Sequence, residues 1–231
     1  MSTQPLTACA ARQESPYAGP ILTEEHWLTA GDPAEVVAFL GERGSQRRWQ
    51  LFACHCCWRI LPLLVDEASR HAVSVAERRA EGRATDAEAR EAEDEAITRA
   101  LQQQQAEGLS VRFTAAMAAV HALMFPRRAY VNAGRAAGGG EPAERAAQCD
   151  LLRELFGNPF RPFAFDPAWR SPIVMAIAAQ VYDRESFNEL PVLADALEDA
   201  GCDDAQLLGH LHSATGHLRG CWALDAVLDK P

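Results

Sequence analysis

Apolar residues recur along most of this chain at intervals of three or four positions, the spacing that places them on one face of an α-helix. Leu51, Cys54, Trp58 and Leu61 form one such set. No segment of useful length alternates apolar and polar residues, as an exposed β-strand would. The pattern therefore predicts an all-α fold, an irregular multi-helix bundle of about ten helices.

Residues that commonly begin helices precede many of these apolar stretches. Thr85 and Glu88 form a capping-box pattern, in which each side chain satisfies a backbone amide of the other residue. Asp32 is followed by Pro33. Proline suits the first helical position because the N–H that it lacks would have no hydrogen-bond acceptor within the helix. We expect Pro126 to break the apolar helix 111–125. The other predicted N-caps are Thr23, Ser45, Asp66, Ser110 and Asp203.

Breaks in the pattern divide the chain into four segments. Residues 1–20 contain scattered proline, serine and glycine and predict a flexible tail. A glycine-rich stretch at 134–142 predicts a linker between an N-terminal helical half, 21–133, and a C-terminal helical half, 143–231. The helix 111–125 is apolar nearly all round and needs cover on several sides. We therefore expect the two halves to share one core and not to fold separately.

One irregular segment between the predicted helices is rich in aromatic residues. In "FGNPFRPFAFDPAW" (156–169), the prolines oppose helix formation, whereas the phenylalanines and the tryptophan favour burial. We expect an ordered loop held across the core. A loop that grips a ligand is the alternative.

Composition narrows the classes of partner. The 231 residues include 32 acidic and 22 basic side chains, a formal net charge of −10. This charge disfavours nucleic acid and anionic membranes as partners, since both are polyanions. No apolar run approaches the roughly 20 residues needed to cross a bilayer, and the first residues do not resemble a secretory signal. We therefore expect a cytoplasmic protein whose seven cysteines stay reduced.

Cysteines and histidines near the C-terminus are the strongest candidates for chemistry. His217 and Cys221 lie four positions apart, which places them on the same side of a helix. Cys202 and His210 precede them in a segment whose turn signals predict a compact corner. We expect the four side chains to converge and propose them as ligands of zinc or another metal. Burial of the same side chains in a core, with no metal bound, is the alternative.

A second group lies inside a predicted helix. In "CHCC", Cys54, Cys56 and Cys57 are second-choice metal ligands, and core packing is again the alternative. Thiol redox chemistry is less favoured, because reactive cysteines normally sit at a helix start, where the helix dipole lowers the thiol pKa. Asp195 and Asp199 have the spacing of a cation-binding or acid–base pair. We favour a solvated face for them.

Five stretches of the chain form a recognisable pattern: "TEEHWLTAGDPAEVVAFLGERGSQRRWQLFACHCCWRI", "FGNPFRP", "DPAW", "VYDRESFNELPVLADALEDAGCDDAQLLGHL" and "HLRGCWALDAVL". They are similar to an uncharacterised, heavily duplicated family of planctomycete bacteria. The similarity covers most of residues 23–229, apart from a variable middle, 83–150. Copies of that family occur alone or beside other modules, so the resemblance implies an accessory or interaction role.

The chain departs from this family's pattern at three positions. The cysteine helix of the family usually reads "ACACCRRI", whereas this chain has His55 and Trp58, and His212 stands where the family has arginine. These departures make His55 and His212 poor candidates for a shared site. The residues that match the pattern are Cys54, Cys56, Cys57, Cys202, His210, His217 and Cys221.

The sequence carries no catalytic signature, since it has no glycine-rich phosphate loop, no nucleophile elbow and no "HExxH". Our first hypothesis is a non-catalytic cytoplasmic interaction or adaptor module that binds another protein and no cofactor. Neither nucleic acid nor membrane is expected as a partner. The second hypothesis is a metalloprotein, with or without enzymatic activity. The third is an enzyme that uses the acidic residues near position 200.

Overall fold

The computed structural model describes residues 22–213 and 216–231, and in them it shows an all-α fold. Twelve α-helices and no β-strand are present in these residues, which confirms the predicted fold class. The predicted tail, residues 1–20, lies outside them. The helices are α1 (Glu24–Thr29), α2 (Pro33–Leu40), α3 (Gln46–Arg59), α4 (Glu67–Ala80), α5 (Asp86–Glu107), α6 (Val111–Met124), α7 (Pro126–Ala136), α8 (Pro142–Phe156), α9 (Pro172–Arg184), α10 (Leu190–Asp199), α11 (Ala205–Leu211) and α12 (Trp222–Leu228).

Local capping explains where most of these helices begin. The Thr85 amide donates to the Glu88 carboxylate at 2.7 Å, and the Glu88 amide donates to Thr85 Oγ1 at 3.2 Å, as the capping-box pattern predicted. The other predicted caps that accept a backbone N–H are Thr23, Asp32, Ser45, Asp66 and Ser110. The prediction that Asp203 caps α11 is wrong, because Asp204 accepts from the Leu207 amide at 2.8 Å.

The structure contains more helices than the ten or so expected, partly because Pro126 starts a helix as well as ending one. Pro126 is the first residue of α7, a position where a missing N–H breaks no helical hydrogen bond. Residues 134–136 of the predicted linker belong to α7, so the irregular connection to α8 is only 137–141.

A first hydrophobic cluster is formed by α1 to α8, with α3 near its centre. Trp49, Leu51 and Phe52 of α3 are fully buried. α3 packs against α4, α6, α7 and α8. Through α8, the C-terminal half of the chain contributes Leu152 and Leu155 to this cluster.

A second hydrophobic cluster is formed by α9 to α12. The aromatic segment between α8 and α9 contacts both clusters: Phe160 stacks on Phe39 of the first at 5.3 Å between ring centroids, and Phe163 packs edge-on against Trp222 of the second at 5.5 Å. This confirms the expected ordered loop. The change from one cluster to the other falls at this loop, after α8. That the two halves do not fold separately stays a prediction.

Two further properties of the described residues bear on function. None of their helices combines the length and the apolar character needed to span a bilayer. Their six cysteines are all buried and form no disulfide. Each of these sulfur atoms is therefore a thiol that could serve as a metal ligand after losing its proton.

Candidate metal centre

Four side chains from three parts of the chain meet where α8 faces α11 and α12. Glu154 lies in the last turn of α8, and His210 lies near the end of α11. His217 belongs to the connection between α11 and α12, and Cys221 is the residue immediately before α12. Each side chain offers one ligand atom, and these four atoms all lie within 4.8 Å of one another. Carboxylate, imidazole and thiolate are the three ligand types that zinc uses in proteins.

Several distances between neighbouring ligand atoms are close to those around a tetrahedral metal ion. Zinc bonds of about 2.0 to 2.3 Å at tetrahedral angles place the ligand atoms about 3.3 to 3.6 Å apart. Here Nε2 of His210 lies 3.2 Å from Sγ of Cys221 and 3.3 Å from Oε2 of Glu154. Nδ1 of His217 lies 3.0 Å from Oε1 of Glu154 and 3.9 Å from Sγ of Cys221. His210 and His217 approach different oxygens of Glu154, so the carboxylate would have to turn for a single oxygen to join both nitrogens and the sulfur around one ion.

The hydrogen bond on the far side of His217 sets its tautomer. Nε2 of His217 lies 3.0 Å from the carbonyl oxygen of Ser213. A carbonyl only accepts, so Nε2 carries a proton, and in the neutral imidazole Nδ1 directs a lone pair towards Glu154 and Cys221. Histidines that bind metals usually donate their other N–H in this way, because the bond fixes the ring and increases its basicity.

Burial and the mutual contacts of the four groups shift their proton affinities. Burial raises the pKa of Glu154, but hydrogen bonds from His210 and His217 outweigh it and lower the pKa below its usual value. Burial opposes the charged form of His217, yet the hydrogen bond and the charge of Glu154 raise its pKa. The pKa of Cys221 lies well above its usual range, mainly through burial and further through the charge of Glu154. Metal binding would therefore release protons from this cluster.

A close approach of backbone to side chains places His217 and Cys221 beside α8. Gly220 has a φ of +92°, and a Cβ atom there would lie 2.7 Å from both the Leu51 and the Leu155 side chains. Glycine alone permits both this φ and this contact without strain. On the same connection, His55 of α3 donates from Nε2 to the carbonyl oxygen of Arg219 at 2.8 Å. His55 is thus a support for the connection and lies outside the group of ligand atoms.

The structure brings together three of the four residues predicted from the sequence. His210, His217 and Cys221 converge, whereas Cys202 is not in the group. Cys202 is buried in the second hydrophobic cluster, and its amide donates to the carbonyl oxygen of Leu197 at 2.9 Å. The expectation that Cys202 joins the group is therefore wrong, and Glu154 takes the fourth place. Its only signal in the sequence is an acidic residue one position before Leu155, in the apolar end of α8.

The three cysteines of the "CHCC" stretch, which the sequence offered as second-choice metal ligands, are part of the first hydrophobic cluster. Cys54, Cys56 and Cys57 are fully buried in α3, and none belongs to a group of converging ligand atoms in the described residues. Burial raises the pKa of all three thiols, that of Cys57 to about 12. Core packing is the interpretation that fits them. Near position 200, Asp195 lies close to Glu198 and His212, and all three are exposed.

Two clefts adjoin the cluster. The larger, of about 560 Å³, is lined by Glu154, His210 and His217, by Arg59 of α3, and by Arg153 and other residues of α8. The smaller, of about 420 Å³, lies on the Trp222 side of His210, whose ring centroid is 5.0 Å from that of Trp222. The cluster is therefore buried but not sealed: the exposed fraction is 0% for Cys221, 4% for the His217 side chain, 10% for Glu154 and 20% for His210.

The fold and the cluster together define a class of molecule, an all-α protein with a mixed His/Cys/carboxylate centre between two groups of helices. Comparisons with protein-family models, with curated proteins and with solved structures find no match. The similarity to a planctomycete family stays a prediction. The case for a function consequently rests on the geometry of the centre.

Proposed function

We propose that this protein binds a zinc ion through Glu154, His210, His217 and Cys221. The observation that carries the proposal is the mutual approach of the four ligand atoms within 4.8 Å, with several pairs at separations close to those of a tetrahedral zinc site. Two imidazoles, a thiolate and a carboxylate form a borderline ligand set that suits zinc better than magnesium or calcium, which prefer oxygen ligands alone.

The arrangement of lone pairs supports a cation at this position. The Glu154 carboxylate can only accept, and Nδ1 of neutral His217 is also an acceptor, yet the two lie 3.0 Å apart. Such a pair needs a positive charge between its members. A proton on His217 provides one in the metal-free protein, and a metal ion provides one that also engages His210 and Cys221.

Its place in the fold gives the metal a structural role. Glu154 belongs to α8, whose Leu152 and Leu155 pack in the first hydrophobic cluster, whereas Cys221 is buried in the second. A zinc ion bound to residues of both parts fastens α11 and α12 to α8. Because only the folded protein holds the four ligands together, zinc at about one hundred times its Kd stabilises the fold by about 2.7 kcal/mol.

The experiment is a zinc titration of the full chain after removal of metal, with a competing chelator as indicator and thermal unfolding as a second readout. We expect about one zinc ion per chain and a rise in melting temperature. His217→Ala and Cys221→Ser should each weaken zinc binding at least about tenfold. Cys202→Ser and His212→Ala are matched controls from the same region outside the four ligands, and they should bind zinc like the native chain.

Two results would count against the proposal. One is a metal-free protein that takes up no zinc and shows no thermal shift. The other is zinc binding that survives His217→Ala and Cys221→Ser but is lost in Cys202→Ser.

Two further proposals, the cellular compartment and a protein partner, are less specific than the zinc site. The free, buried cysteines of the described residues support a reducing compartment such as the cytoplasm. Binding of another protein as an interaction module stays a prediction. The most exposed large apolar side chains, Leu109 and Ile173, lie on different elements, before α6 and in α9.

A further inference from the structure

We infer that the metal keeps one exchangeable coordination position, on the side of the larger cleft, where a small anion with an oxygen or nitrogen donor atom binds in place of Glu154. This inference rests on the proposed zinc site and adds a ligand to it. It starts from a difference in how firmly the protein holds each of the four side chains.

Two of the ligands are fixed by their surroundings outside the cluster, and Glu154 is not. His217 is fixed by its bond to the Ser213 carbonyl, and Cys221 is fully buried at the start of α12. The contacts that the Glu154 carboxylate makes among the described residues are all to members of the cluster. Carboxylates that bind metals firmly are usually held by further hydrogen bonds. Once both histidines bind the metal, Glu154 has little besides the metal to keep it in place.

The larger cleft gives a ligand access to the side on which Glu154 lies. Glu154 and His210 line the cleft and are the two more exposed members of the cluster, whereas Cys221 is absent from its walls. A volume of about 560 Å³ is within the range of small-molecule sites in proteins. A ligand entering from the cleft therefore meets the carboxylate before it meets the sulfur atom.

Charge balance selects an anion. Zinc bound to two neutral imidazoles and one thiolate keeps a single positive charge, which the Glu154 carboxylate cancels. A ligand that replaces Glu154 on the metal keeps the coordinated complex neutral only if it is itself negative, and the freed carboxylate, which keeps its own charge, turns into the cleft that it lines. The two arginines on the cleft are already engaged: Arg153 donates to the carbonyl oxygens of Trp27 and Ala30, and Arg59 is paired with Glu144. The metal is thus the cation that an incoming anion would address.

The test uses the full chain loaded with Co²⁺, whose visible absorption reports coordination geometry, and azide as the probe. We expect azide to change the spectrum in a saturable way while Co²⁺ stays bound. In Glu154→Ala the position is already open, so azide should bind at least about tenfold more tightly. Glu198→Gln is the control, since Glu198 is an exposed carboxylate of α10 outside this cleft. It should leave azide affinity unchanged.

The possible failures are distinguishable. If Co²⁺ binds with a tetrahedral spectrum and azide changes it in neither the native chain nor Glu154→Ala, the exchangeable position is disproved and the zinc site stands. If azide binds equally well to both proteins, it adds to the metal without displacing Glu154, which also overturns the inference. If Co²⁺ and zinc do not bind at all, the proposed function itself is wrong.

Discussion

The buried polar group around Arg47 and the one around Glu154 both join helices of the first hydrophobic cluster to helices of the second, yet they satisfy their charges differently. Arg47 of α3 donates to both carboxylate oxygens of Asp225 in α12, at 2.5 and 3.0 Å, and to Tyr182 at 2.8 Å. It also donates to Glu81 at 3.0 Å, and Lys230 contacts the same carboxylate. Two cations face two anions, and the donors match the acceptors.

Around Glu154 the charge balance depends on protons that can leave. The carboxylate, Nδ1 of His217 and the Cys221 sulfur converge, and in the metal-free protein a proton on His217 supplies the positive charge between them. The Arg47 group contains permanent cations, whereas in the Glu154 group a metal ion can take the place of the proton. Burial of ionisable side chains is common to both groups and so identifies neither as a site. What distinguishes a candidate metal site is a set of ligand atoms that converge on one point and can bind a metal ion once their protons are lost.

Removal of the N-terminal half is expected to have the largest effect, and it separates the two groups. A fragment of residues 141–231 retains all four proposed zinc ligands but loses Arg47. It also exposes Leu152 and Leu155, which pack in the first hydrophobic cluster. We expect the fragment to be aggregated or molten, with and without zinc, because Asp225 is left buried without its partner. A sharp, independent unfolding transition of the fragment by circular dichroism would contradict this.

Arg47→Met comes next in expected size. It leaves the fully buried Asp225 without its cation, so the free energy of unfolding should fall by about 3 to 5 kcal/mol. The loss, measured by urea unfolding, should appear in both zinc and EDTA, since no metal takes part in this group. Arg79→Met is the control: Arg79 pairs with an exposed Asp86, and its loss should cost less than about 1 kcal/mol.

A double substitution sharpens the interpretation of that loss. Arg47→Met combined with Asp225→Leu removes both charges and should recover part of the lost stability, because the uncompensated carboxylate is gone. If the double variant instead has a lower free energy of unfolding than Arg47→Met alone, lost packing and not the unpaired charge explains the destabilisation.

Much of the fold was predictable because helix signals are local. The capping box of Thr85 and Glu88 spans four residues, and each cap depends only on the turn that follows it. Pro126 shows where local rules leave a choice, since proline ends one helix and suits the start of another equally well. The sequence alone does not decide between these outcomes, because packing on both sides determines whether the chain continues as helix.

The candidate site was predictable only where its residues lie close in the sequence. His210, His217 and Cys221 fall within twelve positions, in a corner formed by α11 and the start of α12. Glu154 is supplied by another helix, 56 positions before His210. Its place depends on how α8 packs against the corner, which no local pattern encodes. Cys202 is close to these three residues in the sequence, yet it is not among the converging ligand atoms.

The last and smallest prediction concerns Gly220, which sets the position of two ligands without being one. Gly220→Ala forces a φ of +92° on alanine and brings its Cβ to 2.7 Å from Leu51 and Leu155. We expect the free energy of unfolding to fall by about 1 to 3 kcal/mol. Zinc affinity should fall at least about tenfold, because His217 and Cys221 move away from Glu154.

Gly82→Ala is the matched control for this substitution. Gly82 also has a positive φ, +67°, but a Cβ atom there meets nothing within 4 Å. It should cost about 1 kcal/mol through backbone strain alone and leave zinc affinity unchanged. Urea unfolding of both variants in EDTA isolates the effect on the fold, and a chelator-competition titration gives the effect on the metal. If Gly220→Ala costs no more than Gly82→Ala and binds zinc as well, the close approach at Gly220 does not position the ligands.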